Sequence, residues 1–199
     1  MDKSLVVAES GSSGPARYRL LATLRQYALE RLEASGESGA VRRRHAAHYL
    51  TLAECARAGL GGPERGVWLA RLRPEDDNFR AALDWLAQGG EAESGLRLAT
   101  AAALLWEARG DYTLARARLA RLLALPGPVQ TRTHAEALRI AGDLAWRQGD
   151  CLAQQRYCEE RLAICRALGE RAGIARSLAD LAVPLHLQGH YGRARALLE

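Results

Sequence analysis

His134-Ala135-Glu136-Ala137-Leu138-Arg139-Ile140-Ala141-Gly142-Asp143-Leu144-Ala145-Trp146-Arg147-Gln148-Gly149-Asp150 decides the fold, because its framework recurs downstream. Leu138, Ala141, Gly142, Ala145 and Gly149 return as Leu178, Leu181, Ala182, Leu185 and Gly189, each 40 residues on. Gly110-Asp111-Tyr112 with Ala115 matches Gly189-His190-Tyr191 with Ala194 and places an earlier copy 39 residues before Gly149. A fixed period of this size marks stacked helical repeats, in which each pair of helices buries its apolar face on the next.

Working outward, the pattern predicts helices joined by short connections. Helical spacing runs over Glu91 to Arg109 and Asp111 to Leu125, and the paired helices after Pro128 turn at Gly149, Gly169 and Gly189. Upstream, Val41 to Ala58 carries Ala46, Tyr49, Leu50 and Ala53 on one face. Pro63 opens a helix through Leu72, and Pro74 opens another with Phe79, Ala82, Leu83 and Leu86 inward, ended by Gly89-Gly90. Pro184 predicts a kink in the last first-helix. At the front, Ser4 to Glu9 and Arg17 to Leu21 flank the breaker Ser10 to Pro15, a hairpin signal. Thr23 is placed to cap a following helix that runs to about Ala34.

The composition excludes several classes. Of 199 residues, 48% are hydrophobic, enough for one sizeable core. The formal charge of +5 permits an acidic partner, but a charged fraction of 26% is that of an ordinary solvated surface. Lys3 is the only lysine, so the remaining basic residues are arginine. Cys151, Cys158 and Cys165 are seven apart, which puts neighbours about 10 Å apart along a helix, too far for a disulfide or a shared metal. With Cys55 they read as small residues in a reducing compartment. No apolar run approaches a membrane span, and Met1-Asp2-Lys3 opens no signal peptide, so a cytoplasmic protein is expected.

The repeat resembles the tetratricopeptide framework: Leu138, Gly142 and Ala145 precede a Gly149-Asp150 turn, and the last copy keeps Leu178, Ala182, Leu185, Gly189, Tyr191 and Ala194. The middle copy departs at Cys151 and Gln154, and the first has Ala99, Ala102, Ala103 and Trp106. The front is similar to the end of the winged helix in bacterial signal-transduction ATPases of the STAND class, many of them transcriptional regulators. The residues that carry this are Asp2 to Val6, Arg17 to Ala28, Arg43 to Tyr49, Trp68 to Leu72 and Asp77 to Leu83. Together the resemblances imply a mainly α fold, a right-handed α-solenoid of tetratricopeptide-like helix pairs with a small N-terminal β-hairpin. They divide the chain into a winged-helix remnant over 1–36, a helical linker over 37–90 and repeats over 91–199, in an array expected to be truncated.

No catalytic constellation stands out. No G-x-x-x-x-G-K-S/T phosphate loop is present, so any ATPase activity is expected in a separate upstream nucleotide-binding domain, and no cofactor is expected here. His186 and His190 straddle a turn glycine, and His45 and His48 lack a completing carboxylate or thiol, so neither pair is expected to hold a metal. Glu159-Glu160 and Asp76-Asp77 are adjacent on helices and point about 100° apart, unsuited to paired acid and base work. Arg42, Arg43 and Arg44 form the best candidate for phosphate or acidic contact, at a helix start where an acidic neighbour such as Glu37 is favoured. Direct DNA reading is not expected from a hairpin without its recognition helix.

The remaining candidate is the face that first helices line in tetratricopeptide arrays. The resemblance puts Glu136, Arg139, Asp143, Trp146 and Arg147 there, then Arg176, Ala179, Val183, His186 and Leu187. A tryptophan flanked by arginine has the composition of a binding hot spot, although Trp146 could equally pack on a neighbouring repeat. The expectation is a non-catalytic sensor arm that binds a protein or peptide. A stand-alone repeat scaffold and a nucleic-acid binder using the arginine patch remain open as alternatives.

Overall fold

A computed structural model describes residues 6–9, 17–127 and 130–199, with side chains from Tyr18 onward except that of Arg19. The breaker Ser10 to Pro15 and Pro128 lie outside the described residues. The chain is mainly helical and forms two compact units, Met1–His45 and Ala46–Glu199.

In the first unit, β1 (Val6–Glu9) pairs antiparallel with β2 (Arg17–Leu20), Val6 opposite Leu20 and Glu9 opposite Arg17. The helix α1 (Ala22–Ala34) starts ahead of the expected cap. Leu21 holds the N-cap position with extended backbone and no side-chain bond, so Thr23 already lies inside the first turn. Helix α2 (Ser38–Leu60) likewise starts before Val41, because Ser38-Gly39-Ala40 join it. Arg42 to Arg44 therefore fall beyond its first residues, and the acid that meets Arg42 is Glu33 rather than Glu37.

The second unit takes α2 from Ala46, with Ala46, Ala53, Ala56 and Leu60 buried, and continues through α3 (Arg65–Leu72) and α4 (Asp76–Gln88). Neither proline begins the helix assigned to it: Pro63 precedes α3, and Pro74 sits in a 3-10 turn, Arg73–Glu75. Phe79, Ala82, Leu83 and Leu86 of α4 point inward as their spacing requires. Then come α5 (Ala92–Arg109), α6 (Tyr112–Leu123), α7 (Arg132–Arg147), α8 (Cys151–Ala167), α9 (Arg171–Leu187) and α10 (Tyr191–Leu198). Helix α6 stops short of Leu125, whose successor Pro126 disfavours helical backbone just before it. Pro184 is buried inside α9, which continues to Leu187.

Among the described residues one turn is built five times. At Gly149 the backbone enters the left-handed region at φ 74°, which an L side chain would resist. Asp150 then donates its N–H to the carbonyl of Ala145, five residues back, at 2.9 Å, and its own carbonyl accepts from Gln154. The same pair of bonds recurs after Gly90, Gly110, Gly169 and Gly189, where Glu91, Asp111, Glu170 and His190 take the part of Asp150. This glycine-ended closure satisfies the last carbonyls of one helix while starting the next within two residues. From α5 onward each helix packs on its successor, and α5 also meets α7.

The repeat register shows in burial. Ala103, Gly142 and Ala182 are buried at equivalent places, as are Ala115, Gln154 and Ala194. The largest apolar cluster runs from α2 to α7 around Phe79, Leu98, Leu105, Trp106, Leu119 and Leu144. Past α7 the clusters are smaller, one of them Cys158 with Leu181, Ala182, Leu185 and Ala194.

Candidate functional site

The candidate face is carried by α7 and α9. Thr131 fixes the start of α7 by accepting from the His134 N–H at 3.0 Å, and the Gly149 turn fixes its end. Between them one stripe of α7 buries Leu138, Ala141, Leu144 and Ala145, which turns Glu136, Arg139, Asp143 and Arg147 toward the opposite stripe.

These charges form a connected chain of bonds. Arg57 of α2 donates to Glu136 Oε1 at 2.5 Å. Arg139 grips the same carboxylate with two bonds, Nε at 2.9 Å and Nη2 at 3.0 Å, and reaches Asp143 Oδ2 with Nη1 at 2.5 Å. A guanidinium fork shared between two carboxylates is the geometry arginine favours. Burial opposes the charge on Glu136, yet Arg139 and Arg57 outweigh it and hold its pKa below the ordinary value. The Glu136 bonds raise the Arg139 pKa in turn. For Asp143 burial wins over Arg139, and its pKa is raised; the carboxyl of Glu107 on α5 is raised by burial too, against the pull of Arg147.

Nearer the Gly149 turn the side chains are freer. Trp146 is 42% exposed, so it neither inserts into a neighbouring pair nor stands clear of the protein. Arg147 approaches Glu107 at only 3.6 Å and lies 5.8 Å from the centre of the Tyr112 ring. On α9, Arg176 stands 3.9 Å from Asp180, while Val183, His186 and Leu187 are exposed, and the His186 ring meets Tyr191 edge-on at 5.0 Å.

The predicted set thus divides in two. Glu136, Arg139 and Asp143 are committed to one another, whereas Trp146, Arg147, Arg176, Val183, His186 and Leu187 retain surface that a ligand could cover. Sequence reasoning missed the partners Arg57 and Glu107, which come from other helices, and also missed Arg161 and Asp180. Arg161 of α8 is buried and donates to Asp180 at 2.9 Å. A signal was present: in the repeat register Arg161 replaces Leu122 and Asp180 replaces Ile140, two complementary changes facing each other.

Of the basic trio, Arg42 bonds Ser38 at 3.1 Å and Glu33 at 3.4 Å, while Arg43 and Arg44 are exposed. Among the described residues no three His, Cys, Asp or Glu side chains gather to hold a metal ion, and no helix is long and apolar enough to cross a membrane. All four cysteines are free thiols, and burial pushes that of Cys158 up to about 12.

The described residues thus combine a mainly helical fold with a charged, partly apolar face on α7 and α9. Over 187 residues the chain is 33% identical to proteins of Mycobacterium tuberculosis and Mycobacterium bovis that bear the name "Putative HTH-type transcriptional regulator". The match covers 89% of this chain and 21% of theirs, so the chain spans about a fifth of the length of these relatives. Over 62 residues it is also 48% identical to an uncharacterized protein of Mycobacterium tuberculosis, covering 31% of this chain and 16% of that protein. No protein-family profile matches the chain.

Proposed function

We propose that this chain is a non-catalytic interaction arm of a multidomain transcriptional regulator, an α-solenoid of tetratricopeptide-like helix pairs whose first-helix face binds a protein or peptide. The five-fold recurrence of one glycine turn carries the reading. Its copies at Gly110, Gly149 and Gly189 end α5, α7 and α9 at intervals of 39 and 40 residues, which supports reading these as equivalent helices in successive pairs whose outer stripes form one extended surface. The regulator names of the relatives support the setting. In a regulator of this kind the arm receives the signal, and the winged-helix-like front passes it to a nucleotide-binding domain upstream; any ATPase activity belongs to that domain, and the arm itself needs no cofactor.

Division of labour within the face follows from its bonds. Glu136, Arg139 and Asp143 hold α7 in place against α2, and Trp146 with Arg147, Val183 and Leu187 supplies the contact area. The class of partner is tested by affinity capture on the immobilised chain from extract of its own cells, divided into protease-treated and nuclease-treated halves. Loss of the captured species with protease alone is expected. Loss with nuclease alone would replace the reading by nucleic-acid binding through the arginine patch.

A further inference from the structure

Apart from the α7 and α9 face, the second unit holds a cleft of about 650 Å³ between α3 and the end of α5. Gly66, Leu69, Ala70 and Arg73 line one wall at helical spacing; Leu105, Ala108, Arg109 and Asp111 line the other. The volume falls within the roughly 300–1,000 Å³ of small-molecule sites. Leu105 is buried and Leu69 packs on the main apolar cluster, so the floor is apolar, and the small side chains of Gly66, Ala70 and Ala108 keep the walls apart.

The charges around the cleft do not balance. Arg109 lies 3.4 Å from Asp76 and 3.1 Å from Asp111, and Asp76 also accepts from the Trp106 indole N–H at 3.3 Å. Arg118 stacks over Trp106 at 4.6 Å and has a buried Nη1 with no hydrogen-bond partner. Arg109 and Arg118 together offset Asp76 and Asp111. Arg73 is then surplus: it is exposed at the mouth and joins no ion pair among the described residues.

The geometry points to a binding site in this cleft for a small monocarboxylate with an apolar body, its carboxylate held by Arg73 and its chain laid on Leu69, Ala70 and Ala108. A guanidinium with no internal acid gains most from an anionic head, and the acids that could repel that head are already covered by Arg109. An uncharged ligand with the same body would leave Arg73 as it is. The site is separate from the α7 and α9 face, and its occupation does not depend on the function proposed for that face.

Titration calorimetry of the whole chain with octanoate and with octanol tests this directly. Octanoate is expected to bind about tenfold or more tightly than octanol, and Arg73→Gln to bring the two together. Ala70→Leu, which projects extra bulk into the cleft from an exposed position, is expected to abolish binding of both while leaving the thermal melt unchanged. Equal affinity of octanoate and octanol for the parent chain, binding that survives Ala70→Leu, or no heat of binding from octanoate at millimolar concentration would each overturn the proposal.

Discussion

Arg161 of α8 and Asp180 of α9 form an ion pair at 2.9 Å in the place where the preceding pair of helices sets leucine and isoleucine. Arg161 is 6% exposed, while Leu122 and Ile140, its counterpart and that of Asp180, belong to the main apolar cluster. The second interface therefore carries a charge pair, with its arginine buried and its aspartate half-buried, where the first carries apolar surface. Such a pair adds little net stability in place of apolar packing.

Removing one partner should cost far more than removing both. Asp180→Ala leaves a buried guanidinium without its hydrogen-bonded acid and is expected to destabilise by about 3 kcal/mol. Arg161→Leu with Asp180→Ile restores the residue types of the earlier interface and should be neutral or stabilising. Urea melts of the single and double variants check this; an additive double variant would contradict it.

Glu136 and Asp143 should give opposite pH dependences. Arg139 and Arg57 hold the Glu136 pKa below its unfolded value, so its stability contribution is present at neutral pH and is lost as pH falls through the folded pKa. Burial raises Asp143, so the folded state favours its protonated form, and stability falls as pH rises from the unfolded to the folded pKa. Glu136→Gln is expected to cost about 1–2 kcal/mol at pH 7 and to flatten the acid limb of the stability profile. Asp143→Asn, at a half-exposed site, should change stability by less than about 1 kcal/mol and slightly in the stabilising direction. Chemical melts across the acid range read both.

Gly149→Ala should cost about 1–2 kcal/mol, because φ there is 74° and the site is otherwise open, so backbone strain alone acts. Gly142→Ala makes the contrast. An added methyl there would meet Tyr157 at an ordinary 3.7 Å in a helix that favours alanine, so that variant is expected to be neutral or slightly stabilised. Thermal melts of the two separate a glycine that its backbone conformation requires from one that alanine can replace.

The helix pairs were legible because their punctuation is local: the glycines at 110, 149, 169 and 189 each close a turn whose bonds span only six residues. Helix starts were less so. Thr23 has good capping chemistry, but the extended backbone at Leu21 lets the chain coil two residues too soon for it to act. On the candidate face, the spacing of Glu136, Arg139 and Asp143 is visible in sequence as a ladder of opposite charges. Its anchor is not, since Arg57 lies 79 residues away and only packing brings it to Glu136. The cleft between α3 and α5 was equally hidden, because its walls are unremarkable helical residues until two helices stand side by side.

The central claim, a partner-binding arm that works through the exposed end of α7, is tested most directly by quantitative capture from extract of the cells that encode the chain. Three immobilised proteins are compared: the parent, Trp146→Ala with Arg147→Ala, and Arg156→Ala on the exposed surface of α8. The account predicts a stoichiometric protein partner on the parent and on Arg156→Ala that drops about tenfold or more on the double variant, as loss of a central aromatic and arginine contact entails. Full retention by the double variant, with all three proteins equally folded by thermal melt, would contradict it.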